Sequence, residues 1–491
     1  MTQVQSTTDL DRPRFYIDGR WVEPTSSETH TALEAATENV LGTAALGSPA
    51  DMDAAVKAAR RALDHGPWGR TTVAERVAVM RRFAAALAKR GEFTSRLTSQ
   101  ENGMPIALSE GFNGQAPAGI LEYFAALVEG MDLEEVRESP SGSTIVRRES
   151  VGVVAAITPW NYPHALALIK ISPALAAGCT VVLKPSPETA LDSYVIADAA
   201  EEAGIPPGVL NIVLGGREAG AALVAHPGVD KVAFTGSTAA GKKIGEVCGS
   251  LVRRVTLELG GKSASIVLDD ADMDTFVAGL PMAAFMNNGQ TCTTTSRILA
   301  PRARYQEVLD TLVEYCRGQV VGDPLDRSTT LGPMASSTHL DRVMSYVELG
   351  KASSARLVTG GGRPAGLDRG WFVEPTVFAD VDNSDRLARE EIFGPVLAVM
   401  PYDGVDQAVD IANDSEYGLC GVVWTTDEDR GLDVARRVRT GTVGVNYFNM
   451  DLGAPFGGMK SSGIGRELGA EGLGHYFEYK SMLASAARLN R

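Results

Sequence analysis

The feature that most restricts how this chain can fold is a regular alternation that begins at Val151. The apolar run "VGVVAAITP" is followed by the helical "HALALIKISPALAAG", "CTVVLKP" by "TALDSYVIADAAEEAG", "GVLNIVLG" by "GREAGAALVAHP", and "DKVAFTG" by "STAAGKKIGEVCG". Short apolar strands separated by helices pair in parallel and are covered by helices on both faces. A second series follows Cys292: "SRILA", a helix near Tyr305–Arg317, "GPVLAVMPY", "VDQAVDIAND", "GLCGVVWT", "DEDRGLDVARRV" and "GTVGVN". The expected architecture is therefore α/β, with two doubly wound lobes and the turn at 287–299 near their junction. At 491 residues the chain is long enough for two or three such units.

Ahead of the first series, "DMDAAVKAARRALDH" starts with Asp caps, and "TTVAERVAVMRRFAAALAKRGEF" repeats apolar residues at helical spacing. Between these parts, "SPSGSTIVRRESVG" (Ser139–Gly152) starts rich in glycine and serine and then becomes strand-like. It predicts a protruding hairpin, with a pairing strand supplied by the terminal "HYFEYKSMLASAARLNR". The start, "MTQVQSTTDLDRP", is polar and has neither the basic nor the apolar region of a signal peptide, so it reads as a disordered tail. No uninterrupted apolar stretch reaches the ~18 residues of a membrane span, and the expectation is a cytoplasmic protein.

A net charge of −15 disfavours a nucleic-acid partner, whose phosphates would be repelled. The five cysteines (Cys179, Cys248, Cys292, Cys316 and Cys420) are odd in number and widely spaced. With only six histidines and no CxxC pair, neither a disulfide framework nor a metal site is expected.

Four stretches carry candidate chemistry. In "NNGQTCTTTSRIL", Cys292 stands in a polar turn, whereas a structural thiol usually hides in the core. In "TPWNYP", Asn161 stands past a strand and between prolines, either as a simple Asx-turn former or as an amide donor for an oxyanion. In "LELGGKSASIVLDDAD", Glu258 lies between leucines. It is either a surface group on an edge strand or a buried carboxylate with a raised pKa, suited to be a general base. In "VAFTGSTAAGKKIG", Gly236 to Lys242 reads G-x-x-x-x-G-K. Lys243 stands where a P-loop needs Ser or Thr, which weakens an NTPase reading. A tight turn and a phosphate site at a helix N-terminus both stay open. Two further glycine-dense loops, "EEIFGPV" and "APFGGMKSSGIGRELG", have the character of backbone that approaches a ligand.

Taken in order, "TPWNYP", "KPSPET", "FTGSTAAG", "LELGGKSASIVLDDAD", "NNGQTCT", "EEIFGPV" and "PFGGMKSSGIGRELG" make the whole chain resemble the aldehyde dehydrogenase superfamily. The resemblance implies two Rossmann-like lobes and a small β oligomerisation hairpin. An NAD(P)-binding domain would take 1–128 and 149–260, a catalytic domain 261–460, and an oligomerisation segment 129–148 and 475–491. It makes Cys292 the nucleophile, Asn161 the oxyanion donor and Glu258 the base of a hydrolytic, non-CoA-acylating aldehyde oxidation. A CoA-acylating relative and a non-catalytic structural relative are the alternatives.

The resemblance further assigns Trp160, Lys184, Gly236, Ser237, Gly260, Glu391 and Phe393 to the cofactor. Tyr162, Leu166, Ile169, Met286, Met450 and Phe456 would line the aldehyde tunnel. That lining is uncharged and implies a hydrophobic aldehyde, although Asp451 nearby would favour a cationic one. NAD-preferring members often carry an acid three residues after the lysine; here that position is Pro187, with Glu188 next to it. NAD is expected to be preferred and NADP accepted. A homodimer or homotetramer is expected, with no metal, nucleic acid or membrane partner.

Overall fold

The computed structural model describes residues 10–140 and 142–484. The tail at 1–9, Ser141 in the hairpin and the last part of the oligomerisation segment, 485–491, lie outside the described residues.

Among the described residues the first lobe is built on an eight-stranded sheet. Its spatial order is Gly463–Ile464, Arg254–Glu258, Lys231–Thr235, Val153–Ile157, Thr180–Lys184, Leu210–Ile212, Phe15–Ile17, Arg20–Val22. The five central strands run parallel and the edge strands antiparallel. Val153–Ile157, Thr180–Lys184 and Lys231–Thr235 are buried along their whole length, as the apolar runs require. Chain order reverses between Val153–Ile157 and Lys231–Thr235, which opens a crevice at their carboxyl ends. The site grows there.

The second lobe is a seven-stranded sheet, ordered Arg356–Thr359, Thr376–Ala379, Val396–Tyr402, Arg297–Pro301, Ala264–Val267, Cys420–Trp424, Thr442–Val445. All its neighbours are parallel except the first pair. The doubly wound α/β fold expected from the alternation is the fold observed.

The predicted hairpin is present as Glu134–Ser139 and Gly142–Ser150. Phe477–Ala484 adds the third strand, with Phe477 opposite Ser150. The amino-terminal helices are Pro49–Asp64, Val73–Ala88 and Gly91–Asn102. The first begins earlier than the Asp caps implied. Ser48 is its cap, accepting from the amides of Ala50 and Asp51, while the Asp51 carboxylate accepts from the Ser48 amide at 2.8 Å. Asp51 therefore serves as the third residue of a capping box rather than as the cap.

Candidate active site

The turn that carries Cys292 precedes the strand Arg297–Pro301. Asn287 and Asn288 hold its entry in left-handed backbone, at φ 51° and 61°, a conformation Asn tolerates better than most residues. Cys292 is half-buried, whereas the other four thiols are fully buried. Only Cys292 is thus placed to meet a ligand. Burial, then the facing Glu391 and Glu258 carboxylates, push its thiol well above the ordinary range. Attack on a carbonyl therefore requires a group that accepts the thiol proton.

Asn161 sits between the strand Val153–Ile157 and the helix Pro163–Ala177 and is buried. Its Nδ2 donates to the Gln290 carbonyl at 3.0 Å, two residues before the thiol. A carbonyl only accepts, so the nitrogen must be the atom facing Gln290, and one further N–H of that amide stays available. Tyr162 follows, with its hydroxyl 2.8 Å from Thr291 Oγ1.

Glu258 ends the strand Arg254–Glu258 and is not on an edge. Thr235 stands beside it on one side and Gly463 on the other. It is 3% exposed, and neither carboxylate oxygen has a hydrogen-bond partner. At Gly457, where φ is 150°, an added Cβ would fall 2.5 Å from Glu258 Oε1, so only glycine leaves room for the carboxylate. Burial, then the Glu467 carboxylate, raise the Glu258 pKa well above its usual range, while Lys170 and Arg466 pull it down. Lys170 is fully buried; its Nζ donates to Thr235 Oγ1 at 2.7 Å and to the Glu467 carboxylate. Reading the sequence missed this Lys170–Glu467 pair. The signal was a lone lysine in the otherwise apolar "HALALIKISPALAA".

The crevice at the sheet's switch point is a cleft of about 680 Å³, lined among others by Trp160, Lys184, Glu188, Gly236, Ser237 and Lys243. Lys184 is buried, and its Nζ donates to the carbonyls of Pro185 and Gly215 at 2.9 and 2.6 Å. Burial lowers it to about 8. The helix Thr238–Ser250 starts at this wall, capped by Ser237, so its positive dipole end opens onto the cleft. Glu391 Oε1 accepts from the Gly261 amide at 2.9 Å, and a Cβ on Gly260 would come within 2.4 Å of its other oxygen. Trp160 packs edge-on against Phe393, their centroids 5.4 Å apart. The Lys184 amine, the Glu188 carboxylate and a helix N-terminus around the cleft suit the hydroxyls and pyrophosphate of a dinucleotide, whereas Gly260, Glu391 and Phe393 are not among the residues that line it.

Tyr162 stands at the cap of the helix Pro163–Ala177, and Leu166 and Ile169 follow three residues apart on one face of it. They share one apolar cluster with Met286 and Phe456, against which Met450 and Cys292 pack. Phe112, which the sequence reading missed, crosses the Tyr162 ring edge-on at 5.1 Å. Asp451 is exposed, and its carboxylate accepts from the Gly453 amide at 2.8 Å, which caps its own turn.

The model of the aldehyde dehydrogenase family matches residues 21–482. The chain belongs to this family. It is 55% identical over 474 residues to geranial dehydrogenase of Castellaniella defragrans, covering 96% of this chain and 99% of that protein. It is 42% identical to the 3-succinoylsemialdehyde-pyridine dehydrogenase of a Pseudomonas species, covering 96% and 98% of the two. Among solved structures, a Mycobacterium tuberculosis aldehyde dehydrogenase complexed with NAD+ superposes with a TM-score of 0.95 at 45% identity, covering 96% of this chain and 98% of that one. This aldehyde dehydrogenase is thus an NAD-dependent oxidoreductase acting on an aldehyde. Among its described residues no helix is long and apolar enough to cross a membrane.

Proposed function

We propose that this aldehyde dehydrogenase oxidises a hydrophobic, terpenoid-type aldehyde to its carboxylic acid by a hydrolytic route through Cys292. The observation that carries the hydrolytic reading is Glu258: both its oxygens are buried and unpartnered, and its charge is felt at the Cys292 thiol. A carboxylate kept free of hydrogen bonds beside a nucleophile is suited to take a proton from a water.

In this mechanism Cys292 gives up its thiol proton to solvent water and attacks the aldehyde carbon as a thiolate, and the free N–H of Asn161 stabilises the oxyanion of the resulting thiohemiacetal. Bound NAD supplies the hydride acceptor for the oxidation. Lys184, Gly236, Ser237, Gly260, Glu391, Phe393 and Trp160 would hold it. Glu258 then withdraws a proton from water, which attacks the Cys292 thioester and releases the acid and the thiol. A CoA-acylating enzyme would not need this base.

The proposed lining of Tyr162, Leu166, Ile169, Met286, Met450 and Phe456 is uncharged, and 55% identity to a geranial dehydrogenase supports the terpenoid class. A panel of geranial, straight-chain aldehydes and a trimethylammonium aldehyde tests it. The highest kcat/KM is expected for geranial or a long-chain aldehyde. Preference for the cationic aldehyde would instead assign Asp451 the selecting role.

For the cofactor, Glu188 lines the cleft one residue beyond Pro187 and accepts from the Ser186 hydroxyl, while Lys243 lines the same cleft. A 2′-phosphate would therefore meet weakened repulsion. NAD is expected to be preferred with NADP measurably accepted, and Pro187→Glu should raise the NAD/NADP ratio of kcat/KM. Activity on NADP alone would contradict this.

The enzyme is further proposed to be a cytoplasmic homodimer or homotetramer assembled through Glu134–Ser139, Gly142–Ser150 and Phe477–Ala484. Five free thiols support the reducing compartment. Exposed Val136, Tyr479 and Leu483 on these strands support the interface. Light scattering should give two or four chains for the wild type and a smaller species for Val136→Glu/Leu483→Glu. An unchanged mass for that variant would place the interface elsewhere.

A further inference from the structure

The free N–H of Asn161 can meet an oxyanion only if the backbone beneath it is fixed, and two other asparagines grip that backbone. Asn102 Nδ2 donates to the carbonyls of both Trp160 and Asn161 at 3.1 Å. Asn287 Nδ2 donates to the same Asn161 carbonyl at 3.0 Å. All three side chains are buried. Asn102 ends the helix Gly91–Asn102, and Asn287 opens the nucleophile's turn, so the Asn161 peptide is held from two different parts of the chain.

Each gripping residue is itself anchored. Asn102 Oδ1 accepts from the Met104 amide at 3.0 Å, and the Asn102 carbonyl accepts from Gln290 Nε2 at 3.3 Å. Glu101, next to it, accepts from the Leu191 and Asp192 amides at 2.8 and 3.1 Å. Gly103 closes the helix at φ 79°, where a Cβ would meet the Pro333 carbonyl oxygen at 2.2 Å. Gln290 completes a closed circuit: its carbonyl accepts from Asn161 Nδ2, and its Oε1 accepts from the Ala335 amide at 2.9 Å. The Oδ1 atoms of Asn161 and Asn287 have no hydrogen-bond partner. What holds the loop is therefore the set of amide donors gripping its carbonyls, through bonds that are strong in a low-dielectric interior.

We infer that Asn102 and Asn287 are positioning residues that set the oxyanion-binding amide of Asn161 relative to Cys292. The inference rests on the proposed oxyanion role of Asn161. Neither residue needs to touch the aldehyde. Removing a grip leaves the nucleophile in place but frees the loop that aims the amide, and displacements of about 1 Å at a reacting centre cost up to ~100-fold in rate.

The test is a double-mutant cycle read by stopped-flow NADH formation with octanal on the full-length enzyme. Asn102→Ala should slow the first-turnover rate by about ten- to a hundred-fold. Asn287→Gly, which keeps the left-handed backbone unstrained, should act in the same direction and serves if Asn102→Ala does not fold. NADH affinity and the rate of Cys292 alkylation by iodoacetamide, which forms no oxyanion, should stay near wild type. In an Asn161→Ala background either substitution should add less than about threefold, because residues that act through one group are not additive. Full additivity, or alkylation slowed in step with turnover, would overturn the inference while leaving the role of Asn161 intact. If Asn161→Ala alone keeps the wild-type first-turnover rate, the oxyanion reading fails and the inference with it.

Discussion

Cys292→Ala is expected to lose aldehyde oxidation altogether while binding NADH with near wild-type affinity. The covalent step has no substitute nucleophile: the other four thiols are buried. The cofactor cleft is walled by Lys184, Gly236 and Ser237 and does not include Cys292. Losing the group that forms the covalent bond removes the whole route rather than slowing one stage of it. Cys179→Ala, Cys248→Ala, Cys316→Ala and Cys420→Ala should each retain turnover, apart from lost stability of about 1 kcal/mol or more for a truncated core side chain. NADH fluorescence titration and steady-state assays of the five variants check this. Near wild-type oxidation by Cys292→Ala would mean that the nucleophile lies elsewhere.

Much of the molecule was legible in its sequence, and the rest was hidden for definite reasons. Strands such as Val153–Ile157 and Thr180–Lys184 are buried on both faces, so their apolar runs declared the parallel sheet directly. The strands Phe15–Ile17 and Arg20–Val22 gave no such signal, because three residues are too few to show a pattern, although Phe15–Ile17 is buried between Leu210–Ile212 and Arg20–Val22. Glu258 read equally well as a surface group or a buried one. What decides is its neighbour Gly463, a strand residue far along the chain that covers the side local sequence leaves open. The Lys170–Glu467 pair and the grip of Asn102 on the Trp160 and Asn161 carbonyls are likewise contacts between distant segments. Sequence pattern shows what a segment buries, but not which distant polar group meets it there.

Glu258→Gln is expected to separate the two halves of the reaction. Steady-state turnover should fall ~100- to 10,000-fold, the usual loss when a positioned base is removed. The first equivalent of NADH should still appear as a burst, because acylation precedes the step that needs activated water. The pH dependence follows from burial and from Glu467, which hold the Glu258 carboxyl protonated to higher pH than usual. The base acts in its ionised form, so wild-type deacylation should decline as pH falls through this raised value, above the ordinary carboxylate range. The variant should lack that limb. CoA should be dispensable throughout.

The most direct measurement is the intact mass of Glu258→Gln, quenched in acid after mixing with NAD and octanal. A mass increase equal to one acyl group, mapped by proteolysis to the peptide containing Cys292 and absent from Cys292→Ala/Glu258→Gln, is the expected result. An unmodified protein that has nonetheless released its burst of NADH, or an adduct on any other residue, would contradict a hydrolytic oxidation that proceeds through a thioester on Cys292.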